Sequence, residues 1–206
     1  MATLCSLDDV RQALAKSASD TSQDALLTRL IAAATGAIHA YAQRELCDQG
    51  VATRRFEVTA TGSRRVVPLG SSDLRTVTSI TLHPETTSPV ALAEDVGYQL
   101  RPVGGTVIGT YTVVKIAADV DVASDASSRF GRPLIEIVGE WGPATTPEDA
   151  RHYAIQTVTR WFSRHYAHRT TPLDPDDAPD GFVASVASLP ADVRAGLAWY
   201  RRRPVA

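Results

Sequence analysis

The spacing of apolar positions divides the chain into a helical beginning, a β-patterned middle and a helical end. Ser6, followed three residues later by Asp9, outlines a capping box and opens a short helix reaching about Lys16. A polar break over residues 17–22 follows, and a long helix is predicted over residues 23–46. Within it Leu27, Leu30, Ile31, Ala34, Ile38 and Tyr41 fall on one stripe at helical spacing, with Arg29, His39 and Gln43 away from it. Ala32, Ala33, Gly36 and Ala40 leave the flanks almost without side-chain bulk. Small residues let a second helix approach closely. Ala33 and Ala40 are therefore candidate subunit-interface positions, and a well-packed helix in a single core is the competing reading.

Between Arg54 and Trp141 the period changes. Residues 54–60, 64–69, 77–83, 98–102, 111–117 and 133–141 are short runs rich in Val, Ile, Thr and Tyr, separated by Gly, Pro, Ser and Asp. Thr61-Gly62-Ser63 is predicted to be a tight hairpin turn, and Gly104-Gly105 and residues 124–128 to be loops. In the last run Ile135, Ile137 and Trp141 share one face and Glu136 and Glu140 the other, the pattern of a half-buried strand.

The third helix has the strongest start signal. Thr146 suits an N-cap, Pro147 the first helical position, and Glu148-Asp149 complement the helix dipole. Ala154, Ile155, Val158, Trp161, Phe162 and Tyr166 then cover a wide apolar arc, opposite His152, Gln156, Arg160, Ser163 and Arg164. So broad an arc predicts packing on two sides, and Trp161, Phe162, His165 and Tyr166 join the candidate interface residues. A Pro- and Asp-rich connection over residues 170–180 cannot continue the helix. A last helix starts near Pro190 and ends in Tyr200-Arg201-Arg202-Arg203. The predicted fold class is α+β: a small helical bundle, two N-terminal and two C-terminal helices, interrupted by an antiparallel β insertion. Residues 1–53 and 131–206 are expected to form the helical domain, and 54–130 the insertion packed on it.

Composition adds mostly exclusions. Of 206 residues, 44% are hydrophobic and 21% charged, ordinary for a globular protein. No stretch is expected to approach the roughly 18 apolar residues of a membrane span. The first residues lack a basic region followed by an apolar run, so no secretory leader is expected and the chain is assigned to cytoplasm or to a particle assembled there. The net charge of −2 argues against a protein that grips nucleic acid by neutralising phosphates. Cys5 and Cys47 are expected to be free, partly buried thiols, since no His cluster or four-ligand spacing accompanies them.

Candidate chemistry is sparse. Gly104-Gly105-Thr106 lacks the Gly-Lys-Ser/Thr that would hold phosphates, and neither a His-Glu-x-x-His nor a Gly-x-Ser-x-Gly run occurs. His165 and His168 sit three apart without an acidic third ligand. Asp174, Asp176, Asp177 and Asp180 lack EF-hand spacing, and prolines 172, 175 and 179 favour an extended solvated loop. No nucleophile, base and orienting partner can be assembled. No catalytic residue, cofactor or metal is expected, and the chain is not expected to be an enzyme. The terminal Trp199, Tyr200, Arg201, Arg202 and Arg203 combine residue types that dominate interface energetics, although a frayed basic helix end would look the same.

Several segments together resemble the tailed-bacteriophage head–tail connector (adaptor, or head-completion) family. Leu7-Asp8-Asp9-Val10 followed by Asp24 to Ala34 is similar to that family's opening helices. Ile135-Glu136-Ile137-Val138-Gly139-Glu140-Trp141-Gly142, running into Pro147-Glu148-Asp149-Ala150, resembles its strand-to-helix junction. Trp161 with Arg164 looks like the end of the following helix, and Leu189-Pro190-Ala191-Asp192-Val193 with Tyr200-Arg201-Arg202 like its closing helix. The matches cover a little over half the chain, and the long insertion departs from the shortest members. The resemblance implies a virion neck protein assembling side by side into a ring, a dodecamer, one face on the portal protein and the other receiving a stopper or tail. DNA would pass through the lumen without specific binding. The portal-docking element maps onto Trp199, Tyr200, Arg201, Arg202 and Arg203, in a C-terminal segment expected to stay mobile until the portal orders it. Alternatives are another neck or tail-completion protein, or a small ligand-binding or enzymatic domain.

Overall fold

The computed structural model describes residues 2–17, 20–61, 64–84, 89–101, 110–120, 122, 134–170 and 189–201, apart from the side chains of 59–61, 64 and 166–170. The fold is mixed α+β, with helices toward both ends of the chain and antiparallel sheets between them. Two compact units form, Met1–Cys47 with Thr146–Arg201, and Asp48–Thr145. The division differs from the one expected at 53/54 and 130/131. The reason is strand pairing: the last strand belongs with the first along its whole length, so both fall in the β unit.

The helical unit contains α1 (Leu7–Ala13), α2 (Asp24–Ala42), α3 (Glu148–Thr170) and α4 (Ala191–Leu197), the last continuing as a 3-10 turn over Ala198–Tyr200. The capping box is formed: Asp9 N–H donates to Ser6 Oγ at 3.1 Å, and Ser6 N–H to Asp9 Oδ2 at 2.8 Å. α1 stops at Ala13, short of the expected Lys16, because Ala15 turns left-handed (φ 52) and the Lys16 N–H returns to the Arg11 carbonyl. α2 likewise ends four residues early. Gln43 is left-handed (φ 53), and its N–H closes on the His39 carbonyl. Leu46 and Cys47, which prolong the apolar pattern in sequence, are buried after this turn rather than on the helix.

Leu27, Leu30, Ile31, Ala34, Ile38 and Ala42 of α2 are buried, as are Ala150, Ala154, Val158, Trp161 and Phe162 of α3 and Val193 and Leu197 of α4. Each large apolar side chain removed from water here stabilises by about 1.5–3 kcal/mol. By length and composition α2 is apolar enough to cross a membrane, with a mean hydropathy of 1.2, contrary to the sequence expectation; its stripe is buried in this unit instead. α4, with seven residues, is too short to hold as an isolated helix. It seats against α3 through Gly196, where a Cβ would lie 2.0 Å from the Tyr153 hydroxyl oxygen.

The β unit contains β1 (Gly50–Glu57), β2 (Thr59–Thr61), β3 (Arg64–Pro68), β4 (Leu74–Leu82), β5 (Val90–Leu92), β6 (Tyr98–Arg101), β7 (Val113–Ile116) and β8 (Leu134–Trp141). One four-stranded sheet has the order β1-β8-β4-β5 and the other β2-β3-β7-β6. Every ladder is antiparallel. β8 alternates in burial along its length, Ile135, Ile137, Gly139 and Trp141 inward, as its sequence predicts. Trp141 is fully buried; its indole N–H donates to the Ala52 carbonyl at 2.8 Å, Phe56 packs 5.7 Å from its ring, and the Arg54 guanidinium lies 4.6 Å over it. Gly139 is required for close approach, because a Cβ there would fall 2.2 Å from the Thr76 carbonyl oxygen of β4. The expected hairpin tip at Gly62-Ser63 and the loops at 104–105 and 124–128 lie outside the described residues.

Candidate functional site

The residues singled out by sequence occupy two surfaces and one core of the helical unit. On α2, Ala32, Ala33, Gly36 and Ala40 are all exposed and lie on the side away from the buried stripe. Together they form a face without side chains beyond a methyl group, running about 12 Å along the axis at 1.5 Å per residue. Gly36 is its centre. A Cβ at Gly36 would meet nothing within 4 Å, and its backbone is ordinary helix, so neither packing nor conformation inside the chain calls for glycine. Arg29 and Gln43 mark the ends of this face and are exposed.

The second surface is the corner where the chain turns after α4. Trp199 stands 75% exposed, the most exposed of the large hydrophobic residues described. Its neighbour Tyr200 is 8% exposed and faces inward, where burial, with Asp149 beside it, raises its hydroxyl pKa. Tyr200 is thus a core residue, and the expected contiguous docking cluster is split. Arg201 is exposed and holds its guanidinium 5.9 Å over the Tyr41 ring. Tyr41 also donates its hydroxyl proton to the Arg194 carbonyl at 2.8 Å. On the other side Arg160 binds Asp192 through two 2.6 Å hydrogen bonds, which hold the Asp192 carboxyl at about 2. The segment from Leu189 to Arg201 is therefore folded onto α2 and α3, where sequence led us to expect a segment waiting for a partner. Arg202 and Arg203 lie outside the described residues.

Trp161 and Phe162 belong to neither surface. They are 1% and 7% exposed, and α3 is flanked by α1, α2 and α4 of the same unit. The two-sided apolar arc that suggested a subunit interface is satisfied within the chain, with Lys16 placed 5.5 Å over the Phe162 ring. His165 is half-buried, and the side chains of Tyr166 and His168 lie outside the described residues. The acidic run at 174–180 lies outside them as well.

The electrostatics are those of short, paired surface charges. Arg151 holds Asp9 at 2.6 Å and its carboxyl at about 2. Arg11 bridges Asp24 and Asp8. Arg55 pairs with Glu136, and Arg75 with Glu140, on the outer face of the first sheet. Burial, with Asp9 adding to it, pushes the Cys5 thiol up to about 11, so it stays protonated and unreactive. Among the described residues no group of three His, Cys, Asp or Glu side chains could hold a metal ion. An open depression of about 520 Å³ in the β unit carries Asp95, Tyr98 and Lys115 on its wall.

Sequence reasoning missed the contacts that fix the corner, Tyr41 to Arg194 and Arg201, and the seat of Gly196 on Tyr153. These join positions more than 40 residues apart and leave no local signal.

No protein-family model and no curated protein matches the chain. Among solved structures it is similar to a chain in the neck of an empty GTA (gene transfer agent, phage-like) particle computed with C6 symmetry, at 18% identity and a TM-score of 0.59. That alignment covers 97% of this chain and 90% of the other. A chain in the neck of a native GTA particle computed with C12 symmetry aligns over the same shares at 18% identity and a TM-score of 0.51. The chain shares the fold of these neck chains along nearly its whole length.

Proposed function

We propose that the chain is a structural subunit of the neck of a phage or phage-like particle, a head–tail connector that closes with copies of itself into a ring. The ring joins the portal protein to a stopper or tail and forms part of the conduit for DNA. The observation that carries this reading is the correspondence, over 97% of the chain, with chains of particle necks computed with cyclic symmetry. Both units take part in that correspondence, so the β insertion belongs to the likeness as much as the helices do.

The exposed face of α2 suits the self-contact. A head-to-tail interface joins two different patches of one chain and closes when the rotation fits the ring. A face of Ala33, Gly36 and Ala40 admits a neighbouring copy at backbone distance. Trp199 and Arg201, extended by Arg202 and Arg203, supply the aromatic and guanidinium groups of a portal-docking corner. The net charge of −2 keeps DNA from adhering to the wall it passes. The role is structural and needs no catalysis, metal or cofactor.

The test is the mass of the purified chain, alone and mixed with the portal protein of the same genome. A large closed ring, or assembly on the portal alone, supports the reading. A small stable dimer indifferent to the portal overturns it. Rings that bind a tail component but never the portal would move the assignment to another neck or tail-completion protein.

A further inference from the structure

One half-buried polar group the functional reading leaves unused is His39, on the flank of α2 next to the turn that ends it. Its backbone carbonyl accepts the N–H of Gln43 and, at 3.3 Å, that of Arg44. Its ring reaches further along the same turn: the Leu46 N–H donates to His39 Nε2 at 3.2 Å. An imidazole nitrogen that accepts a backbone proton carries none of its own, so the bonded ring is neutral with its proton on Nδ1. The Cys47 sulfur lies 3.7 Å from the same Nε2 and contacts the Ala2 carbonyl at 3.6 Å.

Two features make this contact more than a cap. It fastens residues 44–47, the last of the helical unit before the chain enters the β unit at Asp48. It also has a chemical off state, since imidazolium has two N–H donors and no acceptor. We propose that neutral His39 is a proton-sensitive latch on the chain leaving α2, and that protonating its ring releases the Leu46 amide and loosens the turn over residues 44–47.

Burial is the cause acting on the His39 ring, and it lowers the pKa from 6.5; among the described residues no charged group of the N-terminal segment, α1 or α3 contributes. Arg44 and Glu45 are the charged side chains of the same turn, and Cys47 is the titratable group at the ring. The folded state holds the proton less tightly than the unfolded chain. The latch's contribution is thus complete above about 6.5, the unperturbed histidine value, and is lost as the pH falls toward the lowered pKa.

The experiment follows the His39 ring and the Leu46 amide together by NMR on the full chain, from pH 7.5 to 5. We expect the protection factor of the Leu46 amide, corrected for intrinsic exchange, to drop at least tenfold along the His39 titration curve. The Leu30 amide, in the middle of α2, serves as reference and should hold its protection. H39Q, whose Oε1 can accept a hydrogen bond at any of these pH values, should remove the pH dependence. Should H39Q fail to fold, the wild-type titration decides alone. A Leu46 amide still protected when His39 is fully charged overturns the proposal, as does equal loss of protection at Leu30.

Discussion

The two units of this chain reach stability by different means. In the β unit the critical contacts run between backbones: β8 is paired on both sides, and Gly139 lies so close to β4 that a single methyl group would meet a carbonyl oxygen. In the helical unit each such contact engages at least one side chain and runs across sequence, Gly196 on Tyr153, the Tyr41 hydroxyl on the Arg194 carbonyl, Arg160 on Asp192. Ladders saturate the backbone and leave little freedom to rearrange. Side-chain contacts on a short helix are individually modest. The small-residue face of α2 and the exposed Trp199 both belong to the helical unit.

The most severe way to test the contrast is G139A. The methyl would sit 2.2 Å from the Thr76 oxygen, and that oxygen cannot turn away without breaking the ladder between β4 and β8. A loss of about 3 kcal/mol or more is expected in urea unfolding, at the upper end of overpacking effects. G196A meets a side chain instead, the Tyr153 hydroxyl and ring. The cost should be about 1–3 kcal/mol and should shrink in the Y153A background, which a double-mutant cycle would measure. Equal costs for the two glycines, or no rescue, would remove the distinction between the units.

Next comes G36A, where the expected signs diverge. Nothing within the chain fills that space, so alanine should stabilise the isolated protein by about 0.5–1 kcal/mol through helix propensity. If the α2 face meets a second copy, the same methyl group weakens ring assembly, read as a rise in the concentration at which rings form. Stabilisation with unchanged assembly would exclude this face from the interface.

The smallest effect is electrostatic and falls on the helical unit. The carboxyls of Asp9 and Asp192 are held at about 2 by Arg151 and Arg160, and that of Asp20 by Ser22 and Lys16. Each is lowered from 3.8, so the stability it adds is complete above that value and disappears as the pH falls through 2. Helical circular dichroism should therefore soften between pH 4 and 2, and D192N should flatten part of that slope. The Asp20 and Asp192 carboxyls are well exposed and that of Asp9 is partly covered, so the slope should be shallow and salt-sensitive.

Much of the fold was legible because its signals are local. The Ser6–Asp9 box, the period of α2, the alternation of β8 and the Pro- and acid-marked start of α3 each concern a few neighbouring residues, and each element is present where its pattern placed it to within a few positions. Helix ends were less legible. α2 stops at Gln43 because the turn there lets Leu46 and Cys47 reach the core, and an apolar Leu46 reads the same on a helix or after one. The candidate site divided similarly. The bare face of Ala33, Gly36 and Ala40 could be read from residue size. Its exposure could not, nor could the inward turn of Tyr200 beside an outward Trp199, nor the burial of Trp161 and Phe162 that removed them from any surface.

The sequence by itself determined where the chain changes period from 3.6 to 2 and back, because hydrophobic spacing is a property of neighbours. Only the tertiary structure decided which apolar faces remain uncovered, which glycines stand at a close approach, and that His39 meets the Leu46 amide. Those depend on what the rest of the chain brings alongside.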